Sequence, residues 1–431
     1  MTALDAERAA PGPRAQLDRV FRRGFAETFV LDVVARALSA ASIVVLIRGL
    51  DVSAYAFVTL FLIFAQFLAS AAGGGVRLRY LRREAERISR GESRDSVSFG
   101  AALVSSSVLV AVIALAFLPF VAAFVDVPAA GTAWGLVVYS MGFGIGWGAI
   151  ELAIAHYQSR KRFRLAGGIG VLRAAAILGV SVLVVMIDAS GPPPLALWFV
   201  GGMLLAGTIA VVWVLGRRDP SADGTLRERW LFSSEEGWLT AYLLAAAGFA
   251  YIDVIVASIF LDERGIATLG ATLRYLSVAL AAIPAIGAVL RVRVSQTDVV
   301  DSGENQRALI LHWLRVTVLP GAAVLGISIA LVPFVIPLID GGRYPGSIIA
   351  LQILLVSAVA AYVSEPGSNV LMAQDRNAAL AMLFGVALAV NFVGDLLVAP
   401  RWGVTGIAVV SSSSFVALRL AVTAYALERA R

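Results

Sequence analysis

The stretch FGAALVSSSVLVAVIALAFLPFVAAFV, residues 99–125, contains no charged side chain. Residues 195–215 are equally free of charge. About 20 such residues in a helix cross the hydrocarbon layer of a bilayer. No water there can pair an exposed N–H or C=O, so each stretch must close its hydrogen bonds within itself, as a helix. The alternating ten-residue segments of a membrane β-barrel are absent. The whole chain follows this pattern. It has 431 residues, 59% hydrophobic and 15% charged, with a mean hydropathy of +0.85. A soluble protein of this length needs more polar surface over its core.

Twelve spans follow, at roughly 25–48, 54–76, 97–124, 131–157, 165–187, 195–216, 237–260, 266–290, 308–338, 346–372, 378–399 and 404–426. The connections alternate in charge. Arg77, Arg79, Arg82, Arg83, Arg87, Arg90 and Arg94 follow span 2, and Arg160, Lys161, Arg162 and Arg164 follow span 4. Arg217, Arg218, Arg227 and Arg229 follow span 6, and Arg291, Arg293 and Arg307 flank the loop after span 8. The opposite connections hold only Arg48, Arg264, Arg343 and Arg401. That sets about 26 basic residues on one side against 4 on the other, and the positive-inside rule puts both termini in the cytoplasm. An odd number of spans would scramble the alternation. The formal charge of +6 therefore reflects topology and anionic headgroups rather than nucleic acid.

The halves read as a repeat. Leu50-Asp51, with Ala56 six residues past the Leu, recurs as Leu261-Asp262 with Ala267, 211 residues on. An even repeat of six spans implies two pseudo-symmetric six-helix lobes with a cavity between them. The expected organisation is an all-α integral membrane protein with a cytoplasmic tail at 1–22, an N-lobe at 23–216, a cytoplasmic linker at 217–236 and a C-lobe at 237–431. No apolar stretch precedes a small-residue cleavage site near the N-terminus, so no signal peptide is read there.

From Leu371 through Met372-Ala373-Gln374-Asp375-Arg376-Asn377, then Asn391, then Ala399-Pro400-Arg401-Trp402-Gly403-Val404-Thr405-Gly406-Ile407-Ala408-Val409-Val410-Ser411, the chain resembles spans 10 to 12 of polysaccharide flippases. Their superfamily also holds lipid II flippases and MATE drug exporters. Thr272-Leu273-Arg274-Tyr275-Leu276 resembles the start of span 8 in the same proteins. Asp51 and Asp262 stand where the family's turns carry a first Gly, and Ala56 and Ala267 where they carry a second. The resemblance implies alternating access in a bacterial inner membrane. It also implies an undecaprenyl-pyrophosphate-type lipid-linked oligosaccharide as substrate and a polysaccharide polymerase machinery as partner. The alternative is an ion-coupled small-molecule exporter of the MATE type, which shares the topology.

Charged groups inside spans cost about 2.5–3.5 kcal/mol on insertion scales, so they are candidates for function. Arg36, with Asp32 one turn before it, Arg274 and Arg419 are the candidate cations of a substrate cavity. An Arg fork can hold a phosphate in a bidentate way. Arg173 and Arg315 lie nearer span ends and read as snorkelling. Asp253, Glu151, Glu365 and Asp395 are candidates to bind a proton or Na⁺ and couple transport to a gradient, or to balance buried Arg. Glu151 and Glu365 are near-equivalent in the repeat. Gln66, Asn369 and Asn391 can bond sugar or neighbouring helices, and the Gly142 to Gly148 series reads as close helix packing. The chain has no Cys and two His far apart, so no Cys-ligated metal or cofactor is expected. Connections on the Arg-poor side span about ten residues or fewer and carry no His–acid dyad, which argues against an enzyme.

Overall fold

The computed structural model describes residues 13–89, 96–128, 131–187, 191–216, 234–280 and 303–429. Among them every regular element is a helix. The N-lobe comprises α1 (Pro13–Gly49), α2 (Val52–Ser89), α3 (Ser96–Phe124), α4 (Ala133–Ser159), α5 (Phe163–Met186) and α6 (Pro192–Leu215). The C-lobe comprises α7 (Ser234–Phe260), α8 (Glu263–Ala279), α9 (Gly303–Asp340), α10 (Gly346–Ala373) and the helical run Asn377–Arg429. That run is two helices meeting at Gly403, where φ is 56° and ψ −141°. They are α11 (377–402) and α12 (404–429). The twelve expected helices are therefore present, in two lobes of six.

Packing repeats between the lobes. In the N-lobe α2 and α3 both pack on α4, and in the C-lobe α8 and α9 both pack on α10. The Leu-Asp repeat has a local cause. Asp51 Oδ1 accepts the Ala54 N–H at 2.6 Å, and Asp262 Oδ1 accepts the Gly265 N–H at 2.8 Å. Each Asp is thus the N-cap of the second helix of its lobe, satisfying a donor that helix cannot pair itself. Small residues set the interhelical distances as expected. A Cβ on Gly146 would lie 2.8 Å from the Met203 backbone, and one on Gly207 would lie 2.9 Å from the Gly146 carbonyl, so α4 and α6 touch backbone to backbone. Phe61 anchors the N-lobe core with its ring 5.6 Å from Phe143 and 6.2 Å from Phe199.

Three boundaries differ from the expected spans. The first helix begins at Pro13 rather than near residue 25, so it takes up part of the expected tail. Residues 1–12 of that tail lie outside the described residues. α2 does not end near residue 76 but continues to Ser89, carrying Arg77 to Arg87 as helix rather than loop. A stretch rich in Arg and Glu favours helix once a preceding helix nucleates it. α8 runs over Glu263–Ala279. The remainder of its expected span, and residues 217–233 of the linker, lie outside the described residues.

The backbone at Gly403 sits in a region open to Gly and costly for a side chain. Gly403→Ala is expected to cost about 1–3 kcal/mol. It should lower the melting temperature of the detergent-purified protein in a thermal-shift assay, whereas Gly385→Ala, mid-helix with open space at its Cβ position, should not.

Candidate functional site

Three helices of the C-lobe converge on a buried acidic pair. α7 supplies Asp253, α11 supplies Asn391 and, one turn on, Asp395, and α12 supplies Ser411. Asp253 is 4% exposed, and Asn391 and Asp395 are fully buried. The Asn391 amide donates to Asp253 Oδ1 at 2.7 Å, and the Ser411 hydroxyl donates to Asp253 Oδ2 at 2.5 Å. The Asp395 carboxylate lies against Asp253, yet neither of its oxygens makes a hydrogen bond of normal geometry among the described residues. Two carboxylates side by side in a low-dielectric interior repel, and a single bound cation removes that repulsion. The donors are all hard oxygens, from carboxylate, amide and hydroxyl, which suit a proton or Na⁺ better than a soft metal. Among the described residues no three His, Cys, Asp or Glu gather as a metal cluster.

The two glutamates that the sequence places inside spans, Glu151 and Glu365, are held by arginine. Glu151 on α4 pairs with Arg77 of α2 through one oxygen and with Arg173 of α5 through the other. The Arg173 guanidinium also stacks over Trp147 at 4.3 Å. Arg173 therefore turns into the bundle and does not snorkel outward, because a buried carboxylate within reach outweighs distant water. Glu365 on α10 lies 3.9 Å from Arg419 of α12 and accepts from the Asn369 amide at 3.2 Å. Arg419 donates to Ser368 at 3.1 Å and stacks over Phe415 at 4.8 Å. The two repeat-related glutamates thus share one solution, an arginine laid over an aromatic ring. In the N-lobe that arginine comes from the lobe's fifth helix, in the C-lobe from its sixth.

Arg36 on α1 donates to Asp32 at 2.7 Å, with both side chains roughly a third exposed, at 33% and 40%. Arg274 on α8 lies across the lobe boundary against Tyr55 of α2.

Solved transporters with the same arrangement span nearly the whole chain. An inward-facing multidrug resistance MATE family transporter of the MOP superfamily superposes with a TM-score of 0.68, covering 94% of this chain and 98% of that one at 16% identity. The outward-facing conformation of such a transporter gives 0.66, covering 94% and 95% at 15% identity. A MOP superfamily transporter from Pyrococcus furiosus, described by the reverse polarity of its binding pocket, gives 0.65, covering 94% and 95% at 16% identity. The chain has the MATE transporter fold. No family model and no curated protein matches it.

On this MATE-like frame lies one further polar cluster that sequence alone does not reveal. At the Arg-rich end Glu84 of α2, 4% exposed, accepts from Arg160 at 2.5 Å. His156 Nδ1 lies 2.7 Å from the Tyr80 hydroxyl and 2.9 Å from Arg160. In sequence Arg160 reads only as a loop cation that fixes topology. It turns inward because α2 continues as helix and brings Glu84 beside it. The one local hint is the i,i+3 spacing of Glu84 and Arg87, which pair on one helix face but do not point to Arg160.

Removing one member of a buried ion group strands the others. Glu151→Ala, which leaves Arg77 and Arg173 facing each other, is expected to cost about 3 kcal/mol. Differential scanning fluorimetry should show it, with partial recovery in Glu151→Ala/Arg173→Met. Equal melting temperatures for the native protein and Glu151→Ala would mean that this ion group does not stabilise the N-lobe.

Proposed function

We propose that this chain is a cation-coupled exporter of the MATE type, working by alternating access. The carrying observation is the buried pair Asp253–Asp395, bonded by Asn391 and Ser411 and supplied by three helices of one lobe. A cation entering such a pair draws α7, α11 and α12 together, and its departure lets them separate. That gives an ion gradient a mechanical grip on the lobe. The fold supports the reading, since both inward- and outward-facing MATE transporters superpose on the chain.

Conformation fits the same cycle. α1 is buried from Ser42 to Ile47 apart from two half-buried residues, and half-buried or exposed throughout residues 30–41. The lobes touch along α2 and α7, where a Cβ on Gly75 would lie 2.7 Å from Thr240, and at the Arg-poor end Arg48 and Arg343 bond across the boundary. With the Arg-rich connections in the cytoplasm, this is a form closed toward the outside.

A second reading concerns cargo. Arg36 and Arg274 stand on α1 and α8, one from each lobe. Cationic side chains there suit an anionic amphiphile better than a cationic drug. Together with the resemblance over 371–411, this favours a lipid-linked oligosaccharide carried from the cytoplasmic to the outer leaflet of a bacterial inner membrane.

Two experiments test these readings. A site that binds a cation in the folded state alone stabilises that state by mass action, about 2.7 kcal/mol at a hundredfold excess over Kd. Melting temperature is expected to rise with NaCl relative to choline chloride, or to depend on pH if the cation is a proton. Asp253→Asn should abolish the response. A native protein indifferent to Na⁺ and to pH would sink the coupling reading. For cargo, a deletion strain should accumulate lipid-linked saccharide that a membrane-impermeant reagent in the periplasm does not label. Pools that are unchanged in size and fully labelled would leave small-molecule export as the function.

A further inference from the structure

The lobes trade arginines at the Arg-poor end. Arg48, at the end of α1, donates from Nε to the Ile339 carbonyl at 2.8 Å and from Nη2 to the Leu338 carbonyl at 2.5 Å. Arg343, in the turn after α9, donates from Nη1 to the Ile47 carbonyl at 2.7 Å and to the Arg48 carbonyl at 3.0 Å. The four acceptors belong to the last turns of α9 and α1. The last carbonyls of a helix have no partner within it and carry its negative dipole end. Each lobe therefore caps a helix of the other with a cation. Asp340 orders one side of the exchange by accepting the Gly342 N–H at 2.8 Å, which shapes the turn that carries Arg343. Beneath the exchange the seam is tight. The Tyr55 and Tyr344 rings lie 5.6 Å apart, and a Cβ on Gly270 of α8 would overlap Thr59 of α2.

We propose that Arg48 and Arg343 are the latch that holds the Arg-poor end of the transporter shut, and that all four bonds break when the cavity opens to that side. The proposal rests on alternating access and is independent of cargo and coupling ion. Donors and acceptors sit on different lobes, so no opening of this end spares the bonds. Arg48 is exposed, so water replaces its bonds as they break. The latch is thus strong enough to bias the closed form and weak enough to release. A helix carbonyl has no protonation state to change near neutral pH, so the latch does not itself sense pH.

The chain contains no Cys, so a single introduced thiol reports on one position. Thr59→Cys places it in the seam, where Thr59 is fully buried. A membrane-impermeant maleimide, added to the side of the Arg-poor connections, should label it slowly in the otherwise native protein. In Arg48→Ala/Arg343→Ala the rate should rise about tenfold, a modest factor because the lost hydrogen bonds are exchanged for bonds to water. Ser140→Cys, buried inside the N-lobe, should stay unreactive and show that the variant is folded. If it reacts, Arg48→Ala and Arg343→Ala are read singly, each with a smaller acceleration expected. Gly270→Leu wedges the same seam and serves as the forced-open reference. Labelling that rises with Gly270→Leu but not with the arginine substitutions overturns the latch while leaving alternating access in place. Labelling that rises with neither overturns both.

Discussion

A charge in the hydrocarbon layer has to find its counter-charge inside the protein, and much of the organisation of this fold follows from how the acids inside its spans meet that demand. Glu151 answers with two arginines from two other helices, which ties α2, α4 and α5 together. Glu365 answers with Arg419 and ties α10 to α12. In both lobes the guanidinium also lies on an aromatic face, which offsets part of its lost hydration. Such groups fix a lobe as a rigid body. Asp253 and Asp395 meet each other instead, with an amide and a hydroxyl as their other neighbours. Unlike Glu151 and Glu365, this pair has no arginine salt bridge among the described residues, and its charge balance calls for a mobile partner.

Most of the frame was legible in the sequence because membrane physics leaves few choices. Span length and the alternation of Arg-rich and Arg-poor connections specify the number of helices. The Leu50-Asp51 and Leu261-Asp262 repeat marks where the second helix of each lobe begins, and the capping bonds explain why Asp stands in both turns. The pairing of charges was not legible. Glu151 and Arg77 are 74 residues apart, and Asp253 and Ser411 are 158 apart. Which buried groups meet depends on helix rotation, which hydropathy does not report. Arg173 shows the cost of this: position along a span makes it a snorkelling residue, while the rotation of α5 turns it to Glu151. Asn391 stands in the sequence as a group that bonds sugar or a neighbouring helix, and its role with Ser411 beside Asp253 emerges from three helices that the sequence does not place side by side.

The seam between the lobes obeys a different rule from the lobes themselves. Within each lobe, packing is backed by buried ion groups and by close backbone contacts such as Gly146 against Gly207. Between the lobes at the Arg-poor end, the contacts are arginine to carbonyl, ring to ring, and glycine to threonine. The arginine-to-carbonyl bonds among these lose little when water replaces them. The division suits two rigid bodies that rock against each other, where stability belongs to the lobes and the interface stays near balance.

The proposed latch and the proposed cation site then divide the work of a cycle. A latch built on backbone carbonyls responds to no solute, so it lends the closed form a fixed bias. A shift of population needs a ligand that binds one form more tightly than the other, by about 5.5 kcal/mol to carry a 1:99 equilibrium to 99:1. Uniform affinity shifts nothing, however tight. The differential contacts must come from groups whose surroundings change as the lobes move. Asp253 stands on α7, and five residues further along the same helix the Ser258 carbonyl accepts the Asp126 N–H of the opposite lobe at 3.2 Å. Rotation or bending of α7 at Asp253 therefore reaches the seam within two helical turns. In this arrangement the coupling ion acts through α7 against a constant bias set by Arg48 and Arg343, and the identity of the cargo is free to vary without rebuilding either part.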